Sequence, residues 1–143
     1  MKIGLGLYRA LLTPENLRFA KQAGCSHIVA HLPGQFTRGG SKIITSDNAN
    51  AGFGDSEGDD PIWSYEGLRE LKRMVNAEGL ELEALENFAP AHWYDVLLDG
   101  PQRGAQMAHL KTIIRDLGRL GIPTMGYCFT LAGVWGRSEG AFA

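Results

Sequence analysis

The feature that most constrains this chain is a phrase used three times. An amphipathic helical stretch ends in a glycine, and an apolar run begins within three residues of it; the glycines are Gly24, Gly79 and Gly121. A glycine just past a helix adopts the left-handed backbone that stops it. A short apolar run after that stop reads as a strand. One more such run opens the chain, so the sequence spells β-α-β-α-β-α-β.

The individual signals agree with that order. "KIGLGL" predicts a first strand over Lys2–Leu7, with two glycines that admit close approach of another group. Thr13 is placed to cap a helix whose first position is Pro14 and which runs to about Ala23. "SHIVAHLP" predicts a strand ending near His31 to Pro33. Ser64 can cap a second helix, Tyr65 to about Glu78, with Leu68, Leu71 and Val75 on one face. "LELEALEN" predicts a third strand, Leu80–Asn87. A third helix, about Gln102 to Leu120, carries the stripe Met107, Leu110, Ile114 and Leu117. "IPTMGYCF" predicts the fourth strand.

Strands alternating with amphipathic helices imply a parallel sheet with right-handed crossovers. Both an open doubly wound sheet and a barrel satisfy this. No G-x-G-x-x-G joins the first strand to its helix, which removes the main support for dinucleotide binding. The unusual residues cluster just after strands, the face where barrel active sites are built. The expected fold is therefore α/β: half of a (β/α)8 TIM barrel, with four parallel strands and three intervening helices over residues 1–143. A complete barrel takes about 250 residues. A Gly-, Ser-, Asn- and Asp-rich stretch, residues 37–60, follows strand two as a long loop, either a lid or a solvated segment.

Composition limits the partners. The chain is 44% hydrophobic and 21% charged with net charge -2, which fits a soluble globular protein. No basic block points to nucleic acid, and no apolar stretch is long enough for a bilayer. The N-terminus has no small-residue cleavage site and passes straight into a helix start, so no signal peptide is expected. Cys25 and Cys128 form no C-x-x-C pair, and two isolated thiols favour a cytoplasmic protein. A four-strand sheet with open edges is expected to form a homo-oligomer.

Several residues can carry chemistry. His31 ends strand two and can hold a substrate oxygen or move a proton, or it is simply a polar residue leaving the sheet. His27 starts that strand and is expected to be structural. On strand three, Glu81 and Glu83 are expected to share one side and Glu86 the other. Glu86 and Asn87, at the strand's C-terminal end, can bind sugar hydroxyls, or Glu86 makes a salt bridge to a neighbouring strand. Tyr127 and Cys128 close strand four. Trp135 and Arg137 follow in "GVWGR", where a guanidinium beside an indole suits a carboxylate- or sugar-binding wall. His92, Trp93 and Tyr94 either cover a site or pack their loop. His109 is expected to face solvent. No His or Cys spacing marks a metal site.

Four stretches in order, "RFAKQAGCSHIVAHLP", "IWSYEGLRELKRMVNAEGLELEALEN", "HLKTIIRDLGRLGIPTMGYCF" and "GVWGR", resemble the N-terminal half of mannonate dehydratases, within the xylose-isomerase-like barrel superfamily. The resemblance covers nearly everything except the 37–60 loop. It implies a lyase that dehydrates D-mannonate to 2-keto-3-deoxy-D-gluconate in hexuronate breakdown, with activity only for the full barrel. It also implies Mn2+ or Fe2+ as cofactor, with the metal ligands and the main acid/base groups in the second half of the barrel, outside this chain. His31, Glu86, Trp135 and Arg137 match family positions and are expected in the substrate pocket, together with Asn87 and Tyr127. Cys128 departs from the resemblance, standing where the pattern has Asn. A sugar isomerase or epimerase of the same superfamily, or an inactive half barrel, are the alternatives.

Overall fold

The computed structural model describes residues 1–32, 60–88 and 90–127. Most of the 37–60 loop, Cys128, Trp135 and Arg137 therefore lie outside the described residues. Within them, the expected alternation is present. β1 (Gly4–Tyr8) leads to α1 (Pro14–Gln22), β2 (His27–His31), α2 (Tyr65–Ala77) and β3 (Glu81–Glu86). A short helix α3 (Tyr94–Leu98), α4 (Arg103–Leu120) and β4 (Thr124–Gly126) complete it. Three single 3-10 turns, Arg9–Leu11, Pro61–Trp63 and Pro90–His92, and helix α3 are additions that the hydrophobic period does not announce.

The helix boundaries follow from the caps. The Thr13 hydroxyl accepts from the Asn16 N–H at 3.3 Å, and the Ser64 hydroxyl accepts from the Gly67 N–H at 3.1 Å. Each satisfies a backbone donor that the first helical turn leaves unpaired. At the other ends Gly24, Gly79 and Gly121 all have positive φ, as the repeated phrase requires.

The sheet order is β1-β2-β3-β4 and every pairing is parallel. One core joins Leu7, Ile28, Ala30, Leu82 and Leu85 of the strands to Leu17 and Ala20 of α1, Leu68, Leu71 and Val75 of α2, and Leu110, Ile113 and Leu117 of α4. All three long helices thus pack on the same face of the sheet. A doubly wound sheet would carry helices on both faces. One-sided cover with sequential strand order is the arrangement of half a (β/α)8 barrel, and the opposite face is the barrel's interior.

The α4 stripe needs one correction. Ile114 is 53% exposed, and Ile113 takes the core position beside Leu110 and Leu117. Leu110, Ile113 and Leu117 follow the 3-then-4 spacing of a core face, whereas Ile114 lies one residue round the helix from it.

Candidate functional site

The interior face of the sheet can be read strand by strand. Register pairs Gly4 with His27, Gly6 with Val29, and Tyr8 with His31. Leu5 and Leu7 alternate with them towards the helices, and on β2 Ile28 and Ala30 do the same, both fully buried in the core. His27 and His31, four apart on one strand, therefore share the interior face. A Cβ at Gly6 would meet no atom within 4 Å, so the first-strand glycine leaves room there rather than admitting a close neighbour.

β3 departs from simple alternation. His27 pairs with Glu81 and Ile28 with Leu82, but Val29 pairs with Ala84, so Glu83 is an extra residue in the ladder. The bulge shifts the parity of everything after it. Glu83 lies 3.6 Å from His27 Nε2, and Glu86 lies 3.8 Å from His31 Nδ1. Both carboxylates thus face the interior. The expectation that Glu86 opposes Glu83 is overturned, because strict alternation does not hold across a bulge.

The result is a row at the C-terminal end of the sheet: Tyr8, His31, Glu86 and Gly126, each in register with the next. The Tyr8 and His31 rings meet edge to face with centroids 5.0 Å apart. His31 is 8% exposed, whereas the Glu86 side chain is 55% exposed. Burial holds the His31 imidazole below its ordinary pKa, against the opposing pull of the Glu86 charge. A neutral imidazole donates from one nitrogen and accepts at the other, and a carboxylate only accepts. Side by side they suit a ligand with several hydroxyls.

Asn87 comes next, half-buried with φ 64, a left-handed conformation that Asn tolerates better than most residues. Its N–H donates to the Gly126 carbonyl at 2.9 Å, so it ties the end of β3 to β4. Tyr127 follows β4 and is 70% exposed at the same rim. The row therefore brings together His31 and Glu86, with Asn87 and Tyr127 at its edge.

The lower end of this face holds a different group. Glu83 accepts from Lys2 Nζ at 2.6 Å, and that bond holds its carboxyl below the usual range. His27 Nδ1 lies 2.7 Å from Ser26 Oγ. These partners join the N-terminal ends of the strands, in keeping with a structural His27.

The loop after β3 is packing. His92 is 1% exposed and Trp93 2%, and the Trp93 indole donates to the Phe88 carbonyl. His109 is exposed, as its mid-helix position suggested, but its ring also lies 4.9 Å from that of His92. Tyr8 escaped the sequence reading because the first strand runs one residue further than its apolar run. The signal was present: a polar aromatic at the C-terminal end of a barrel strand.

Residues 14–142 match the family described as D-mannonate dehydratase (UxuA). The chain belongs to this family. It is 39% identical over 77 residues to a mannonate dehydratase of Streptococcus suis (strain 05ZYH33), a match covering 54% of this chain and 20% of that protein. A mannonate dehydratase of Geobacillus thermodenitrificans (strain NG80-2) is 33% identical over 78 residues, covering 54% and 20%. The crystal structure of mannonate dehydratase from Streptococcus suis serotype 2 superposes with a TM-score of 0.62 and 26% identity, covering 97% of this chain and 33% of that one. The matched part of this chain thus spans about a fifth of these curated relatives, and the whole chain about a third of the solved one.

The Mn2+ or Fe2+ expected from the sequence resemblance would need several oxygen, nitrogen or sulfur ligands brought together. Among the described residues no three His, Cys, Asp or Glu side chains come together to hold an ion. His31 and Glu86 alone do not make such a centre.

Proposed function

We propose that this chain forms the substrate wall of a barrel that dehydrates D-mannonate to 2-keto-3-deoxy-D-gluconate, a step of hexuronate breakdown. The observation that carries the reading is the His31–Glu86 pair, set at the C-terminal end of two neighbouring strands in a chain of the mannonate dehydratase family. The reaction is a β-elimination: the proton alpha to the carboxylate leaves, the 3-hydroxyl departs as water, and the enol becomes a ketone. In this reading His31 and Glu86 bind and orient substrate hydroxyls. Asn87 and Tyr127 add polar contacts at the rim, and by the resemblance Trp135 and Arg137 are further substrate-pocket residues. A divalent ion, Mn2+ or Fe2+, supplies charge stabilisation for the developing enolate when bound. Its ligands and the principal acid/base groups belong to barrel units outside this chain, and the active species is the full barrel. The setting proposed is the cytoplasm; among the described residues no helix is long and apolar enough to cross a membrane.

The test supplies the missing units. The 143-residue chain, with Mn2+ and D-mannonate, is expected to yield no keto-deoxy acid. Combined with the remaining barrel units of the Streptococcus suis relative, it is expected to yield product lighter by one water, and His31→Ala is expected to lower that turnover by at least tenfold, the loss of about 1.4 kcal/mol of transition-state stabilisation. Full turnover by the chain alone would overturn the division of labour. Conversion of a keto-sugar with no loss of water would make the barrel an epimerase or isomerase.

A further inference from the structure

Arg9 and Asp60 stand outside the substrate wall, and neither is marked by the sequence pattern. Arg9 directly follows Tyr8 and opens the 3-10 turn after β1. Its two terminal nitrogens donate to the two carboxylate oxygens of Asp60. A forked pair of this kind fixes orientation as well as distance. The side chains are 32% and 11% exposed, so the pair is largely withdrawn from water.

Asp60 also faces forwards. Its Oδ1 accepts from the Ile62 N–H at 3.0 Å and so caps the 3-10 turn Pro61–Trp63. Trp63, at the end of that turn, is 2% exposed. Its ring lies 5.8 Å from Phe88 and 5.0 Å from His92. Phe88 is two residues past Glu86. A continuous set of contacts therefore runs from Tyr8 through Arg9, Asp60 and Trp63 to the residues that leave β3. It links the two strands that flank His31.

We propose that the Arg9–Asp60 pair is a positioning clamp for this site, holding the Tyr8 ring edge-on to His31 and the end of β3 at a set distance from the end of β1. The inference rests on the His31–Glu86 row being the working face of the chain. Backbone continuity makes Arg9 the natural handle on Tyr8, since a residue can turn only as far as its neighbour's anchor allows. Partly buried ion pairs return little net stability, because desolvation offsets their attraction. A position-setting role accounts for the pair better than a stabilising one. Asp60 is suited to it: although burial pushes its carboxyl up, the bonds from Arg9 and from the Ile62 N–H outweigh that push and keep it ionised.

The test reads the His31 ring protons of the 143-residue chain by NMR, with no ligand present. Tyr8→Leu supplies the reference for a His31 without the neighbouring ring. The double variant Arg9→Met/Asp60→Asn removes both charges and leaves the net charge unchanged. It is expected to move the His31 shifts most of the way to the Tyr8→Leu values. Arg9→Met alone keeps Asp60 as the cap for Ile62 and decides the matter if the double variant does not fold. His31 shifts that stay at the values of the unsubstituted chain, whether or not the melting temperature falls, would overturn the clamp. The measurement uses no D-mannonate, so it can fail while the lyase reading stands, and the turnover test can fail while the clamp stands.

Discussion

His31 sits between two opposing influences, and their balance sets its charge. Burial at 8% exposure disfavours the imidazolium, while the Glu86 carboxylate 3.8 Å away favours it. Burial prevails, so folding lowers the pKa of this ring. The unfolded chain then binds more protons than the folded one between the two values, and stability rises with pH across that window. Acidification downward through the ordinary imidazole range is therefore expected to lower the melting temperature, and His31→Gln is expected to flatten that part of the profile. Glu86→Gln removes an influence that opposes burial. It is expected to drive the His31 titration midpoint lower still, as read by NMR; an unchanged or raised midpoint would show that the two side chains do not interact. His31 and Glu86 were both legible as residues, because each is polar at the end of an apolar strand. Their pairing was not, since it depends on which way each strand turns its side chains.

At the scale of elements, the bulge in β3 decides the site. One extra residue at Glu83 turns Glu86 from the helix-covered face to the interior. Without it, strict alternation would aim that carboxylate into the core beside Leu82 and turn Leu85 out of it. The start of α2 shows a second local device. The Gly67 N–H donates to the Ser64 hydroxyl, and a Cβ on Gly67 would run into the Pro61 carbonyl and the Ile62 backbone. The turn that carries Asp60 and Trp63 is seated directly on that glycine. Gly67→Ala is expected to cost about 1–3 kcal/mol, as overpacking does. Ser64→Ala is expected to cost about 1 kcal/mol, the worth of a side-chain cap. Urea denaturation of the two variants measures both, and a neutral Gly67→Ala would mean that the turn can move away freely.

For the whole molecule, the distribution of exposed apolar side chains is uneven. Ile3, Tyr8, Leu11 and Phe19 belong to the first strand–helix unit and its flanks, and Leu97, Leu98, Ile114 and Tyr127 to the last. Among the described residues of β2, α2 and β3, no large hydrophobic side chain is exposed to that degree. Among the described residues β1 and β4 are also the two edges of the sheet. Apolar surface and unpaired strand edges thus coincide at both ends of the array, and such edges recruit further strands. The 143-residue chain by itself is expected to self-associate, and sedimentation velocity at micromolar concentration should report dimers or larger species. A single monomeric boundary would show that its ends are covered from within.

The sequence by itself determined the order of the strands and the long helices, the helix caps and stops, and the barrel class. These depend on contacts within a few residues, such as Thr13 to Asn16 or Ser64 to Gly67, and on periods that one strand or helix carries alone. It also carried the family, through stretches whose order is independent of geometry. Only the tertiary structure decided that Glu86 faces His31, that Tyr8 lies against that ring, and that Arg9 reaches Asp60. Each of these joins residues from different strands or turns, separated by 23 to 55 positions in the chain. The meeting of Glu86 with His31 depends on strand register, and a single extra residue in β3 brings it about. Local pattern holds no record of that register, because it is settled by packing between elements.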